Sequence, residues 1–556
     1  MSYKNNRRNI ERLILGILLL FITSINAQPL STDWAVPIPG TAYEQTNTLA
    51  QAPCGDLYMG GFFQNQLGSM TSVGSEDGFI IKYNSQGQVL WQQQIAATGT
   101  DRVTGIAVAD DHTIYVVGEF RGVYYYNNDS LVSQEQLDVF VLKLDSTGAV
   151  QWAVGGHGMG YQSASAVTVL PNGMLSLVGY FDQTISFGGV SVQSWGLRDA
   201  FVVTIDANGL PQWGQKMGGL GFDEGRTITA DSANNVYAAG VFRDGVFVGN
   251  DTILGIGGYD VFVMKCSPQG QLDWVRVMGG PAADDVKDIT VDNQQNPYLV
   301  GWFDRRLEAG NLLINGAMEE DGYIVKYDPQ GNPLWGKAVA GTFDERLYGV
   351  DIDANNNIYI LGTLDSLLVL GTDVLTNRHL NRPTNLFVAK YSADQTYRWA
   401  QSLGHYYNDF CSDLIVENTT SLYIAGSFQD TTILAGTTLI SQADYDVFLG
   451  KFIVDTTVAI QKIKSNNGGD NLLAVQFYPN PCSLEGNLSY ELTTNNQMKI
   501  SLYDRLGRSL QVLLDEYQGK GVHQLNLKRR KEWTAGIYFL KVSTATTAYW
   551  VKVVFN

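Results

Sequence analysis

Tyr298-Leu299-Val300-Gly301 decides how this chain reads, because it recurs. Similar apolar runs ending on glycine stand at Tyr58-Met59-Gly60-Gly61, Tyr115-Val116-Val117-Gly118, Ser176-Leu177-Val178-Gly179, Tyr237-Ala238-Ala239-Gly240, Tyr359-Ile360-Leu361-Gly362 and Tyr423-Ile424-Ala425-Gly426. The closing glycines are 57, 61, 61, 61, 61 and 64 residues apart, and six of the seven runs begin with tyrosine. A second element keeps the same step. It opens with Asp77-Gly78-Phe79-Ile80-Ile81-Lys82-Tyr83, turns at Gly87 and reaches Trp91. It returns at Asp138 to Trp152, Asp199 to Trp213, Asp260 to Trp274, Asp321 to Trp335 and Asn385 to Trp399, always 14 residues from first residue to tryptophan. A fixed period of this length marks an array of supersecondary blocks.

Each block offers four strands. Strand A is like Ile289-Thr290-Val291-Asp292, and a short polar turn leads to strand B, residues 298–303. About 18 residues later comes strand C, residues 323–327; the turn Pro329-Gln330-Gly331-Asn332 leads to strand D, starting near Trp335. β-Branched and aromatic runs bounded by Gly and Asn turns support strands. Four strands at this period read as a propeller blade. There are seven A–B pairs and seven C strands, but the last C strand, Asp446-Val447-Phe448-Leu449-Gly450-Lys451-Phe452, has no Trp strand after it. An orphan Trp strand, Thr32-Asp33-Trp34-Ala35-Val36, precedes the first pair. The arithmetic predicts an all-β chain whose residues 28–455 form a seven-bladed β-propeller. The N-terminal strand then completes the last blade, which removes the open sheet edge of an unclosed array. An open solenoid would carry distinct capping repeats, and none is visible.

Outward from the repeat lie two ends of different character. Lys4, Arg7, Arg8 and Arg12 precede an apolar run at 13–22 and the small-residue site Ile25-Asn26-Ala27. This order predicts a secretory signal peptide over 1–27, and its apolar run is shorter than the ~20 residues a membrane span needs. After residue 455 comes a polar linker at 456–472 containing Ser465-Asn466-Asn467-Gly468-Gly469-Asp470. Residues 473–556 then read as a small β-sandwich. Its markers are Phe477-Tyr478-Pro479-Asn480-Pro481, Leu502-Tyr503-Asp504-Arg505-Leu506-Gly507-Arg508, Gly536-Ile537-Tyr538-Phe539-Leu540-Lys541 and Tyr549-Trp550-Val551-Lys552.

Two resemblances rest on these residues. The repeat resembles the bacterial SBBP-type propeller repeat, over about three quarters of the chain; this implies architecture but no single activity. The C-terminal module resembles the type A C-terminal sorting domain of the type IX secretion system of Bacteroidota. That resemblance implies a sorting signal carried by Pro479, Asn480, Pro481, Gly507, Arg508, Gly536, Tyr538, Lys541 and Lys552. It also implies handling by the type IX machinery, export across the outer membrane, and a secreted or surface-attached product. Ala535 stands where the family usually has Pro, and Thr546-Thr547 replaces a common Gly.

Charge agrees with separate modules. The chain holds 37 Lys plus Arg and 55 Asp plus Glu, net −18, while residues 470–556 and residues 1–27 are each net +3. The remainder, −18 − 3 − 3 = −24, is the repeat region. An acidic balance argues against a nucleic-acid partner and biases the protein toward cations or basic ligands. Cys54, Cys266, Cys411 and Cys482 form no CxxC and occupy unrelated positions in the repeat, so neither a zinc site nor a regular disulfide framework is expected.

The candidate ligand residues fall into two sets. An acidic residue stands 17 positions before the repeat glycine, at Glu44, Asp101, Asp223, Asp284, Glu345 and Asp409, with Gln162 as the exception. On D-to-A loops these could ring a mouth and hold cations or a basic ligand, or each could bond the amides of its own loop. His157 and His405-Tyr406-Tyr407 break the symmetry of the same loops, while Trp195, Arg305 and Arg306 are expected in long B-to-C loops. Asp351-x-Asp353-x-Asn355-x-Asn357 has the oxygen spacing of a calcium loop but lacks its Gly and distant Glu, and it reads as a hairpin turn. The repeated lysines on strand C read as pairing or snorkelling positions. Gly331-x-x-x-x-Gly336-Lys337 lacks the Ser or Thr and the helix of a phosphate loop, and no HExxH or GxSxG occurs. The expectation is an exported, non-enzymatic binding scaffold for a glycan or protein, without cofactor except a weakly indicated calcium. A loop-carboxylate hydrolase or lyase, and a purely structural envelope component, are the alternatives.

Overall fold

The computed structural model describes residues 29–134, 136–371, 373–377, 384–404, 407–442, 444–454, 462–463, 472–478, 485–504, 508–530, 533, 536–544 and 548–555. Every regular element among them is a strand, and no helix is long and apolar enough to cross a membrane. The chain divides into two compact units, one holding Thr32–Ile453 and the other Val454–Asn556. The expected signal peptide lies outside the described residues.

The larger unit is a run of antiparallel four-stranded groups in chain order A-B-C-D. The fifth is typical: Asp284–Val291, Pro297–Ala309, Leu312–Tyr327 and Pro333–Val339. The fourth group joins the fifth in one eight-stranded sheet through the pairs Met278 with Ala309 and Gly279 with Glu308. The strand Leu30–Ile38 lies beside Asp446–Val454 in the same sheet as Ser421–Phe428 and Asp409–Asn418. Each A strand contacts the A strands of its two neighbours, and Asp409–Asn418 contacts Glu44–Gln51, the first A strand. This is an arrangement of β-propeller type.

Burial explains the sequence pattern. Strands such as Leu57–Phe63, Asp77–Tyr83 and Ile358–Leu364 are buried at every position. Sheets stacked on both faces remove the polar alternation of a half-exposed strand, so B and C read as continuous apolar runs. The repeat glycine has a specific cause. Every A strand carries a bulge, for example between Gly225 and Thr227. The bulge presses a carbonyl onto strand B, so a Cβ at Gly240 would overlap the Glu224 carbonyl and the Phe262 ring. The second glycine sits in the C–D turn. Gly331 has φ +78, and a Cβ there would lie 2.8 Å from the Trp274 ring of the preceding group.

That tryptophan belongs to a latch between groups. Trp91, Trp152, Trp213 and Trp274 each donate Nε1–H to a carbonyl in the next C–D turn, at Ser146, Ala207, Pro268 and Pro329, over 3.1–3.2 Å. Trp34 of the N-terminal strand does the same to Ser85, at 3.1 Å. The strand C lysines complete the latch. Lys82, Lys326 and Lys451 pair with Asp56, Asp292 and Glu417 at 2.9–3.0 Å, and each lies over the strand B tyrosine ring.

Two expectations need correction. The B-to-C connections are not loops. In the third, fourth and fifth groups strands B and C run on into long hairpins, so Trp195 lies on Val190–Ile205 and Arg305 and Arg306 on Pro297–Ala309. Arg305 sits at a register shift with φ 63, which faces its exposed side chain toward Asp304. Elsewhere the connection is a separate small hairpin such as Val123–Tyr126 with Asp129–Val132. The stretch at 456–472 is not wholly linker either: Lys462–Ile463 pairs with Tyr549 and Ala548.

The smaller unit is a two-sheet sandwich. Its five-stranded sheet runs Lys462–Ile463, Ala548–Phe555, Gly536–Ser543, Asn496–Asp504, Ser509–Gln518, and its three-stranded sheet runs Leu472–Tyr478, Glu485–Leu492, Gly521–Lys528. Leu488, Tyr490 and Leu527 from the smaller sheet pack with Ile500, Leu540 and Val553 from the larger.

Candidate functional site

The D-to-A loops and B-to-C hairpins meet on one side of the larger unit. Isolated bridges join His157 to Ser186, Gly40 to Leu67 and Gly341 to Leu368. The loop residues named from the sequence are found here, but in two different environments.

The carboxylates do not line an open mouth. Glu44, Asp101, Asp223, Asp284, Glu345 and Asp409 are 0–1% exposed. Each stands at the start of a strand A or one residue before it, and most bond their own loop, the neighbouring B-to-C hairpin, or both. Asp101 Oδ2 accepts from the Ala97 amide at 2.6 Å and Oδ1 from the Arg121 amide at 3.1 Å. Asp223 repeats this with Gly219 and Arg243 at 2.6 and 3.0 Å. Asp284 accepts from Gly280 at 2.6 Å, Glu44 from Ala42 at 3.0 Å, and Asp409 from the Thr432 hydroxyl at 3.0 Å. Gln162 is also fully buried and donates to the Met159 carbonyl. Of the two roles open for these residues, the geometry supports loop pinning.

Sequence reasoning missed a second buried set beside the first. The repeat residues of strand C, Asp77, Asp138, Asp199, Asp260, Asp321, Asn385 and Asp446, which open the strand except in the three groups where it extends into a long hairpin, are 0–4% exposed. Most accept the amide four residues upstream, as Asp199 does from Trp195 at 2.7 Å and Asp446 from Gln442 at 2.9 Å. The signal was available: six of seven C elements open with Asp. Burial pushes Asp101 and Asp223 up to about 7 and Asp284 up to about 8. Burial also pushes Glu44 to about 7, Glu345 to about 8 and Asp199 to about 6.

His157 is not a free ligand group: its Nδ1 lies 2.8 Å from Asp138 Oδ2. His405 and Tyr406 lie outside the described residues. Tyr407 is exposed. It joins Tyr43, Tyr161, Phe222 and Phe410 as loop-side aromatics about two-fifths exposed. Tyr43 and Phe410 both pack on Tyr445, with ring centroids 5.8 Å away. Two arginines of this side are internally neutralised. Arg102 bridges Glu76 and Glu119 at 2.6 and 3.1 Å, and Arg198 bridges Asp182 and Glu224 at 2.9 and 2.7 Å. A shallow groove of about 370 Å³ runs between Thr98, Thr100, Arg121 and Ser133.

The calcium-like run is an Asx hairpin turn. Asp353 Oδ1 accepts from the Asn355 and Asn357 amides, both at 2.9 Å, and Oδ2 accepts from Asn357 Nδ2 at 2.8 Å. Among the described residues no three His, Cys, Asp or Glu converge to hold a metal. Cys54, Cys266 and Cys411 are free thiols; Cys482 lies outside the described residues.

Of the sorting-signal residues, Pro479, Asn480, Pro481 and Gly507 also lie outside them. Arg508 closes a turn on Asp504, donating Nε–H to its carboxylate at 2.6 Å. Gly536, Tyr538, Lys541 and Lys552 lie on the paired strands Gly536–Ser543 and Ala548–Phe555.

Comparisons with known proteins follow this division. An uncharacterised WD repeat-containing protein of Acanthamoeba polyphaga mimivirus is 23% identical over 474 residues, covering 69% of this chain and 34% of its own length. A regulatory protein, FlaEY, of Caulobacter vibrioides is 30% identical over 178 residues, covering 30% of this chain and 17% of its own. The chain therefore spans about a third or less of these relatives. Among solved structures, YCF48 bound to D1 peptide is 10% identical with a TM-score of 0.36, covering 77% of this chain and 99% of its own. A fungal alcohol oxidase with copper is 10% identical at 0.35, covering 95% and 100%. Residues 476–556 match the family model of a secretion system C-terminal sorting domain, which marks the chain for export by the type IX machinery to the cell surface or the medium.

Proposed function

We propose that this is an exported, non-enzymatic binding scaffold. Its larger unit is a closed seven-bladed propeller whose last blade is completed by Leu30–Ile38, and its loop side takes a glycan or protein ligand. The Trp34 bond to Ser85 supports closure, since it repeats the latch of the other D strands. The observation that carries the binding reading is the contrast on the loop side. The six carboxyls that precede the repeat glycines are 0–1% exposed, whereas Tyr43, Tyr161, Phe222, Tyr407 and Phe410 present ring surface to solvent. Exposed aromatic rings on a rigid scaffold suit stacking on sugar or peptide.

A hydrolase or lyase needs carboxyl groups that reach substrate. Here the carboxyls with raised pKa are buried and bonded to backbone, which favours binding over catalysis. The test is a glycan array with the full chain, with and without calcium, repeated with Tyr43→Ala/Phe410→Ala. The expected result is a hit that the double variant loses. A blank array together with no partner in native-surface crosslinking would overturn the reading in favour of a structural role. Export is tested separately. Removing residues 473–556 should strand the protein in the periplasm, and normal delivery of that truncation would contradict sorting by this module.

A further inference from the structure

Seven junctions connect successive groups of the larger unit, and each brings two of the buried residues above to one place. At the junction after Asp199, a Cβ at Gly218 would lie 2.7 Å from Asp223 Oδ2 and 2.8 Å from Asp199 Oδ1. Gly40 shows the same approach: its amide donates to Asp446 Oδ1 at 3.1 Å while its Cβ position overlaps the Glu44 carboxyl. At Gly341 a Cβ would likewise overlap the Glu345 carboxyl, which also faces Asp321. The Asp101 amide donates to the carbonyl of Glu76, next to Asp77, at 2.9 Å, and a Cβ at Gly279 would overlap the Asp260 carboxyl while the adjacent Gly280 amide donates to Asp284. These complete five junctions with two carboxyls each, and within each pair the charge of the C residue disfavours ionisation of its partner.

The charged neighbours do not relieve this. Asp101 also faces Glu119, Asp223 faces Asp244, Asp284 faces Asp304, Glu44 faces Asp444, and Glu345 faces Asp344 and Asp365. The cation acting on a member of these pairs is Lys216, which faces Asp199. Two carboxylates at such proximity, removed from water and without a matching cation, cannot both ionise cheaply.

The sequence itself supplies the control. At the other two junctions one carboxyl is replaced by its amide: Asn385 beside Asp409, and Gln162 beside Asp138. The replacement falls once on the strand C side and once on the strand A side. A primary amide has the shape of a carboxylic acid and, like the protonated acid, offers both a donor and an acceptor. At the Gln162 junction Asp138 has also acquired His157 as a partner at 2.8 Å. At these two junctions a neutral hydrogen-bonding group stands beside one carboxyl.

We propose that each of the five two-carboxyl junctions holds one shared proton at neutral pH, as an acid–carboxylate pair. The five protons help join the groups, and the unit loosens as they are lost. The raised values of Asp101, Asp223, Asp284, Glu44 and Glu345, about 7 to 8, agree. Because the folded values are raised, the stabilisation is full below the ordinary carboxyl value near 4 and is lost as pH rises through about 7 to 8. The pair titrates as a unit.

The test is thermal unfolding of the full chain, followed by tryptophan fluorescence, from pH 5 to pH 9 at low and high salt. The expected melting temperature falls with pH, and the fall survives high salt, which screens surface repulsion but not a buried pair. Unfolding at pH 6 should release about five protons, and each single variant Asp199→Asn, Asp260→Asn or Asp321→Asn, which copies the amide already present at Asn385, should remove about one fifth of the slope. A wild-type melting temperature constant over this range, or a slope abolished by salt, overturns the proposal. Should the variants misfold, infrared spectroscopy of the wild type decides. A protonated-carboxyl band present at pH 6 and fading by pH 9 supports the shared protons, and its absence at pH 6 overturns them.

Discussion

The two sides of the propeller-type unit use the same residue type to opposite ends. On the turn side Asp292 is 6% exposed; burial pushes its carboxyl up, but bonds from Asn296, Lys326 and the Gln294 amide overcome this and hold it below the usual range. Glu417 behaves alike, with Ser421, Lys451 and Tyr423 as its donors. On the loop side Asp284 is 1% exposed and pushed up to about 8, because burial is joined there by further carboxylates. Burial alone therefore does not fix the charge of a buried carboxyl; the partner does. The turn side is a repeated ion-paired latch. The loop side is pinned by amides and presents varied aromatic residues outward.

This contrast can be broken in order of expected effect. Deleting residues 28–40 removes Trp34 and the strand beside Asp446–Val454, leaving a buried sheet edge bare. The larger unit should then lose cooperative melting altogether; a truncated protein that melts like the full chain contradicts closure by this strand. Next comes Trp274→Ala, which strips the bond to Pro329 and the packing on Tyr237 and Gly331. A loss of about 3 kcal/mol is expected in denaturant titration. Lys326→Met leaves Asp292 without its cation and should cost about 2 kcal/mol at pH 7, a cost that shrinks as pH falls below about 4 and Asp292 protonates. Gly240→Ala forces a methyl onto the Glu224 carbonyl and should cost about 2 kcal/mol. The smallest stability effect is at Tyr43→Ala or Phe410→Ala, within about 0.5 kcal/mol, since both rings are partly in water. If those two destabilise as much as Trp274→Ala, the aromatic residues serve the fold and not a ligand.

The hairpins show where local reading ended. Val190-Ser191-Val192-Gln193 alternates apolar and polar residues as a strand should, and its exposed positions follow that alternation until Ser194 and Trp195 invert it. The repeat is weakest in this stretch, so recurrence does not mark it as a strand. Gln162, Asn385 and His157 stand out in the sequence only as breaks in a pattern. Their meaning depends on what lies beside each of them, which is a residue on another strand.

The sequence by itself determined the repeat, its strands, the positions that must be glycine or tryptophan, and the module that follows. These are local or periodic properties, set by side-chain alternation, turn chemistry and recurrence at a near-constant step. Only the tertiary structure decided which carboxyls meet. Strand A of one group and strand C of the group before it are separated in the chain, yet their repeat acids or amides share one junction. Whether a carboxyl there is a ligand, a pin or half of a proton-sharing pair follows from burial and from the charge across the junction, and neither is written in the residues next to it.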